Sequence, residues 1–595
     1  MKQPLTAALG KFIARTELRA MPERAVAVAK QGWTDCIGVM LAGAREPVTQ
    51  AVMRVVSKES PEGTSSLFFS GTTAPAPAAA WINGTAAHAL DYDDVALKGS
   101  HPSAVLVPAI LAEGQSLGSS GADMVCAYVV GYETWAELIS RERGNYQRKG
   151  WHPTGVFGAI GAAAACASLR KLPAAQAAHA LGIAASEASG IMSNLGSMVK
   201  PMHAGKAASC GLLAARFAAE GMTSAADALE HEQGFLQALS PAGDVDLDGV
   251  PNLPPGRWRI LEQGLAIKQY PVCYRAHRAI DAMLGLVRKH DIVPGDVRSI
   301  VVRFSRSHSI ILKNHEPRTA IDAKFSIEFA LACAVILRRV GLRDLTDDFV
   351  QRADVQKLMR VVAIDINPEE EKGTSGYSPY DTVRVELANG SVLDSEQVRH
   401  ARGDAQAPLS AEELWAKFED CAAESGLPLD ARSLFDKLQR LEHCSSADLF
   451  HTNTASRENG MGKLRHVAIT VDNMEETASF YEKAFDLKRV RASDVAVMLS
   501  DGTVSLAIIS SKNANAEGRK GLHHIGFLVD EMEAGVAKVE KSGGIYHGQV
   551  KNIGGGPQSE RKYRDLNGMP FDVATREHAR RVWCIPVDEA GAGSD

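Results

Sequence analysis

From His152 to Gly190 the chain reads HPTGVFGAIGAAAACASLRKLPAAQAAHALGIAASEASG. Alanine and glycine fill positions that most helical proteins give to leucine. Alanine is the strongest helix former, so the stretch reads as helix. A helix with small residues on many faces buries little area alone and admits neighbours on several sides. Such a sequence folds only inside a tightly packed helical domain. The same character runs from Leu5 to about Ser240, interrupted by AREPVT, GTTAPAPAAA and GSSGAD, whose Pro, Gly and Ser residues mark turns.

At Pro251 the pattern changes. NLPPGRW reads as a domain crossing, and VRSIVVRF (297–304) alternates as a strand does. DTVRVELANGSVLDSEQV (381–398) reads as two strands joined by Asn389-Gly390, a pairing suited to a type I′ turn. FSIEFALACAVILRR (325–339) lies between them and reads as a buried helix. Residues 266–400 are therefore expected to form a smaller α+β lid domain. Helical periodicity returns from Ser410 to Leu441, so 401–444 is expected to complete the helical domain of 1–265. The polar run from Ser445 to Met461 is expected to be a linker (445–461).

Beyond it lies an internal repeat over 462–580, followed by a tail (581–595). His466 opens HVAITVDNME and His524 opens HIGFLVDEME, and each copy continues as helix, turn and strand. Two βαβββ copies would build a cup. The fold class expected is thus multidomain: a mainly α-helical domain, an α+β lid, and a βαβββ-repeat α+β domain.

Four clusters carry chemistry. HALDYDDVALKGSHPS (88–103) packs Asp91, Asp93 and Asp94 between His88 and His101. Carboxylates this close repel unless cations face them. GWHPTGVFG holds His152; GSMVKPMHAGKAAS holds Lys200, His203 and Lys206; AIKQYPVCYRAHRAIDAM holds Lys268, Tyr270, Cys273, Arg275 and His277. Each sits beside Pro or Gly punctuation, where loops on a rigid scaffold place binding groups. Converging Lys and His side chains suit a small polyanion, with Asp91 countered by those cations. A metal is the rival cation, but His88, Asp91 and His101 lack the compact spacing of motifs such as H-E-x-x-H.

In this order, the four clusters resemble those of the MmgE/PrpD family, which includes 2-methylcitrate dehydratase, cis-aconitate decarboxylase and iminodisuccinate epimerase. The resemblance implies a homodimer, a site between helical and lid domains, and no iron–sulfur cluster or other cofactor. It also implies a catalytic set of Asp91, His101, His152, Lys200 and Lys268. Asp94, His203, Tyr270, Cys273 and His277, in the same clusters, are expected to contact substrate. Two positions depart from the decarboxylases: Val95 replaces a Thr, and Cys273 replaces a His.

The expected activity is that of a metal-independent lyase, 2-methylcitrate dehydratase-like, acting on a small di- or tricarboxylate by proton abstraction next to a carboxylate. An epimerase or isomerase of a dicarboxylate, a cis-aconitate-type decarboxylase and a non-catalytic scaffold are the alternatives.

The C-terminal repeat resembles the vicinal-oxygen-chelate superfamily, which includes glyoxalase I and methylmalonyl-CoA epimerase. By that resemblance His466, His524 and Asp572 would hold a divalent metal. The fourth ligand position aligns with Leu506, which cannot bind one. A metal-free binding or dimerisation module is the other reading. His523 is expected on the opposite face of its strand.

The formal charge of −6 over 595 residues gives no reason to expect a nucleic-acid partner, and no apolar run suits a membrane span. Nine scattered cysteines without a C-x-x-C pair fit a reducing compartment, and the expected location is cytoplasmic.

Overall fold

The computed structural model describes residues 4–59, 63–370, 377–427, 429–445, 463–512, 520–529, 531–549 and 560–585. The chain divides into two compact units, Met1–Thr452 and Asn453–Asp595. The expected linker lies outside the described residues apart from Ser445, as does the tail beyond Ile585.

The first unit has two cores. The helical core draws on residues from Leu5 to Ile267 and again from Leu409 to Leu441. Its centre is built from the helices Ala76–Ala89, Pro102–Leu117, Gly121–Ser140, Pro153–Leu169 and Val199–Ala219. Apart from the hydroxyls of Thr154 and Ser168, Pro153–Leu169 is apolar or small throughout, and all seventeen residues are buried. A helix buried all round needs no amphipathic stripe. The small residues set the crossing distances. A Cβ on Gly205 would lie 2.1 Å from the Trp81 carbonyl oxygen, and one on Gly211 would lie 2.5 Å from that of Ala159. Helix Val199–Ala219 thereby packs closely on two neighbours, buries His203 and carries Lys200, partly exposed, at its start.

Helices Ala411–Ser425 and Ala431–Gln439 pack back onto Glu23–Gly43. The buried side of the former runs through Leu414, Lys417, Phe418, Cys421, Ala422 and Ser425, so a lysine sits on its apolar stripe.

The second core gathers residues from Tyr270 to Val385. Its four-stranded sheet has the order Val362–Ile366, Val297–Phe304, Thr382–Leu387, Val392–Asp394. The first pair is parallel and the other two are antiparallel. The Asn389-Gly390 hairpin forms, but not with a type I′ turn. Gly390 alone has positive φ (85°), the Gly390 amide donates to the Leu387 carbonyl, and the Leu387 amide donates to the Ser391 carbonyl. That is a type I turn closed by a left-handed glycine, the usual three-residue hairpin loop.

The second unit is one eight-stranded sheet. Its order is Ile545–Gln549, Glu560–Arg564, Pro570–Ala574, Gly521–Leu528, Lys463–Val471, Ser505–Ser510, Ala496–Ser500, Lys488–Ala492. Each βαβββ copy supplies four adjacent strands. The copies join where Lys463–Val471 pairs antiparallel with Gly521–Leu528. Helices Met474–Phe485 and Met532–Lys541 belong one to each copy. No helix among the described residues is long and apolar enough to cross a membrane.

Candidate active site

The Leu90–Asp94 loop is where the first unit concentrates its charge. Asp91 adopts φ +53°, a left-handed conformation that Asp tolerates better than most residues. Three consecutive carbonyls in this loop accept from three lysines of distant origin. Lys324 Nζ donates to Leu90 (3.1 Å), Lys268 Nζ to Asp91 (2.5 Å) and Lys417 Nζ to Tyr92 (2.9 Å). Val95 pairs through its backbone with Ala266, which brings the segment carrying Lys268 alongside.

Asp91 is the meeting point of two ammonium groups. Lys200 Nζ and Lys268 Nζ lie 2.8 and 2.9 Å from the same oxygen, Oδ1. Burial alone would raise the Asp91 carboxyl, but the two lysines overcome it and hold the group well below the usual carboxylate range. Burial opposes the charge on Lys268, and Asp91 and Asp93 reverse that and raise it. The cluster reaches solvent through Asp91, whose side chain is 23% exposed, and Lys200.

Asp93 is fully buried and faces two imidazoles. His88 Nδ1 lies 2.9 Å from Oδ2, and His101 Nδ1 lies 3.0 Å from the same oxygen, off the line of a well-directed hydrogen bond. Each Nδ1 is thereby turned to the carboxylate. His101 Nε2 is left facing Asp91, 4.0 Å from Oδ1. His88 Nε2 is buried without a hydrogen-bond partner among the described residues, and burial pushes that imidazole down to about 4. His101 and His152 occupy the N-caps of helices Pro102–Leu117 and Pro153–Leu169. The following proline pre-sets φ for the first helical turn and fixes each histidine at the helix mouth. His152 Nδ1 lies 3.1 Å from His203 Nδ1, and the His88 and His152 rings stack at 6.0 Å. Burial, with Lys200 nearby, holds both His152 and His203 below the usual imidazole value.

The structure thus brings together Asp91, His101, His152, Lys200, Lys268 and His203, and adds Asp93 and His88. Asp94 lies elsewhere. Its carboxyl accepts from Ser103 Oγ (2.6 Å), which also meets Tyr128 Oη at 2.7 Å, and burial raises it well above the ordinary value. Tyr270 donates to Asp281 (2.5 Å) in the lid core, and His277 packs between Tyr270 and Tyr274 with Nε2 against the Val272 carbonyl. Neither reaches the Asp91 cluster through a hydrogen bond. Cys273 is half-buried; burial and Asp91 raise its thiol, which keeps it protonated.

Spacing in sequence misjudged one point. Ligand-type atoms of His88, Asp91, Asp93 and His101 all lie within 4.8 Å of one another, which is metal-site geometry. Their bonds are already committed, however: Asp91 to two ammonium groups and Asp93 to two imidazoles. The cations facing Asp91 and Asp93 are protein lysines and histidines, and the third carboxyl, Asp94, turns to Ser103 instead. Asp93 was hidden because i, i+5 is not a helical or strand spacing. Lys417 had a signal, a lysine on the apolar stripe of an amphipathic helix.

In the second unit, His524 Nε2 lies 3.0 Å from Asp572 Oδ2, and the His466 and His524 rings are 5.2 Å apart. Lys562 Nζ bonds Asp572 Oδ1 at 2.7 Å and lies 3.5 Å from Glu560. A divalent ion held by these residues would have to displace an ammonium group, so the set does not fit one. Leu506 is not the register neighbour of His466; Ser505 is, and Leu506 packs on the opposite, helix-bearing face. His523 also departs from expectation. A β-bulge between Leu522 and His524 brings its Nδ1 within 2.6 Å of His524 Nδ1.

Comparison with known proteins follows this division. The MmgE/PrpD N-terminal domain profile matches residues 7–248, and the MmgE/PrpD C-terminal domain profile matches 270–436. The Glyoxalase/Bleomycin resistance protein/Dioxygenase superfamily profile matches 463–571. Cis-aconitate decarboxylase of Mus musculus is 27% identical over 387 residues, 62% of this chain and 77% of that protein. Cis-aconitate decarboxylase of Aspergillus terreus is 26% identical over 449 residues, 71% of this chain and 90% of that protein. A solved methylmalonyl-CoA epimerase of Streptomyces coelicolor aligns at 18% identity and TM-score 0.17, over 20% of this chain and 95% of that one. The chain belongs to the MmgE/PrpD family and carries a C-terminal domain of the glyoxalase superfamily.

Proposed function

We propose that the first unit is a metal-independent lyase that acts on a small di- or tricarboxylate by moving a proton at the carbon next to a carboxylate, with dehydration as its reaction. The observation that carries this reading is the pair of ammonium groups on Asp91 Oδ1 beside a histidine whose other nitrogen is turned to Asp93. A carbanion next to a carboxylate needs cations where its charge develops and a base of near-neutral pKa. Lys200 and Lys268 supply the cations. They are held in place by Asp91 before substrate arrives, so little reorganisation is needed when charge appears.

His101 Nε2 takes the proton. Asp93 fixes the tautomer that leaves Nε2 unprotonated and stabilises the imidazolium that forms, as the carboxylate of a catalytic triad does. His152 stays neutral in its buried place. When His203 donates to its Nδ1, the proton of His152 sits on Nε2, where it can hydrogen-bond the departing hydroxyl. Balance is kept: the α-proton passes to His101, the C–O electron pair leaves with the hydroxyl, and the His101 imidazolium gives that proton back to complete a water.

Decarboxylation is the second reading, favoured by the relatives, which are cis-aconitate decarboxylases. It uses the same cations to hold the carbanion left by carbon dioxide. Val95 and Cys273, which depart from the decarboxylase pattern, place dehydration first.

The test is proton NMR in heavy water with the full chain and a panel of 2-methylcitrate, citrate, cis-aconitate and amino-dicarboxylates. A new vinyl signal with loss of a hydroxyl supports dehydration, and release of carbon dioxide supports the second reading. Exchange of an α-proton without a new skeleton would make the enzyme an epimerase. Unchanged turnover in both His101→Ala and His152→Ala overturns the roles given to these two histidines.

A further inference from the structure

We infer that the C-terminal domain carries its own cation in place of the divalent metal of its superfamily: the ammonium group of Lys562, sealed in by Trp583. The inference stands apart from the lyase reading, because it uses only residues of the second unit.

Register places the residues in one row. Across adjacent strands, Ser505 pairs with His466, His466 with Gly526, Gly526 with Asp572 and Asp572 with Lys562. Lateral neighbours in a sheet share a face. This row is the superfamily's metal face, with two changes. At one end stands a serine, which brings no negative charge to a cation. At the other stands a lysine, whose Nζ bonds Asp572 at 2.7 Å and lies 3.5 Å from Glu560. Glu560 also faces His578 at 3.5 Å. The ammonium group thus stands between the two carboxylates and already meets the charge that Asp572 would offer a second cation.

The face is also covered. After the helix Arg576–Arg581 the chain returns, and the Trp583 ring stacks on His466 at 4.9 Å with an interplanar angle of 3°. Trp583 is 2% exposed and packs with Ala468, Ala507, Leu528 and Ala574 in one apolar cluster. Gly526 makes room for it: a Cβ there would lie 2.6 Å from the indole and 2.8 Å from His466 Cβ. The strand residue between His466 and Asp572 is therefore the one that could not have been larger.

The experiment is equilibrium dialysis of the full chain against Co²⁺, read by the visible d–d bands that a His/carboxylate site gives. The wild type is expected to show no cobalt that depends on His466. One cobalt per chain that is lost in His466→Ala overturns the inference. A double-mutant comparison supplies a second readout. Lys562→Met should lower the melting temperature, because Asp572 is left buried without its cation. Lys562→Met/Asp572→Asn should recover most of the loss. If Lys562→Met does not fold, folding of the double variant gives the same support. Simple addition of the two single effects would mean that Lys562 is not the counter-cation of Asp572, and would overturn the inference.

Discussion

Two clusters in this molecule are made of the same parts. Around Asp91 stand two lysines and a histidine, and around Asp572 stand one lysine and a histidine. They differ in what is left over. The Asp91 side chain keeps 23% of its surface open, and His101 keeps Nε2 turned toward it. In the second unit Trp583 lies on His466, and the lysine closes the row. A site and a buried ion-pair network can share residue types. Access, and one nitrogen held in reserve, separate them.

The largest effect should come from removing a cation at the open cluster. Lys268→Met is expected to lower kcat on the order of 10³-fold, the scale of losing a preorganised charge partner of a developing anion. Lys562→Met, the matching change in the second unit, should leave the lyase turnover unchanged while lowering stability. Steady-state kinetics on both variants checks the contrast. Equal losses would mean that the two clusters are not functionally distinct.

Next is Asp93→Asn, expected to lower kcat about 10²-fold with KM little changed, since Asp93 acts through His101 and not on substrate. The ¹⁵N signals of His101 should report a changed tautomer. An unchanged tautomer with lost turnover would assign Asp93 a merely structural role.

That residue also marks how far the sequence could be read. The alanine-rich helices, the hairpin at Asn389-Gly390 and the βαβββ repeat were legible because each follows a local period. Asp91, His101, His152, Lys200 and Lys268 were legible through family motifs, and geometry gathers them. Asp93 and His88 were not, because three carboxylates within four residues look alike until the backbone turns at Asp91 and points Asp94 to Ser103 instead. Lys324 and Lys417 reach the loop through backbone carbonyls, which no motif records; Lys417, which also pairs with buried Asp35, was signalled only by its place on an apolar helix stripe. Aligning the repeat copies by sequence puts the first-copy counterpart of Asp572 at Leu506, a slip of one residue. Asp572 pairs with Gly526, so its counterpart is Ala507 opposite Ala468, and a slip of one exchanges the faces of a strand.

A smaller effect tests both units together. His88 and His578 are pushed down to about 4 by burial, and His277 and His466 to about 3. The unfolded chain titrates these groups near 6.5, so below that pH it binds more protons than the folded one. Stability is therefore full above about pH 6.5 and falls progressively as the pH drops toward 4. Thermal melts between pH 7 and 4 should show it, and His578→Gln should flatten the slope of the second unit alone. A melting temperature independent of pH across that window would mean that these histidines are not held neutral in the fold.

The smallest expected effect concerns product choice at the open cluster. Val95 pairs with Ala266 through backbone only, and Cys273 lies near Asp91 and Lys268 as a protonated thiol. Neither holds the lysines or His101 in place. Val95→Thr/Cys273→His restores two side chains of the decarboxylase pattern and should change kcat severalfold at most. What it should change is the fate of the carbanion. An imidazole titrates near neutrality and gives up a proton more readily than a thiol that burial and Asp91 hold protonated, so protonation after loss of carbon dioxide gains on expulsion of hydroxide. The ratio of released carbon dioxide to vinyl product on a shared tricarboxylate substrate measures this. A rise in that ratio would locate reaction choice in these two positions. An unchanged ratio would place it in the six groups gathered around Asp91 and Asp93, which both reactions share.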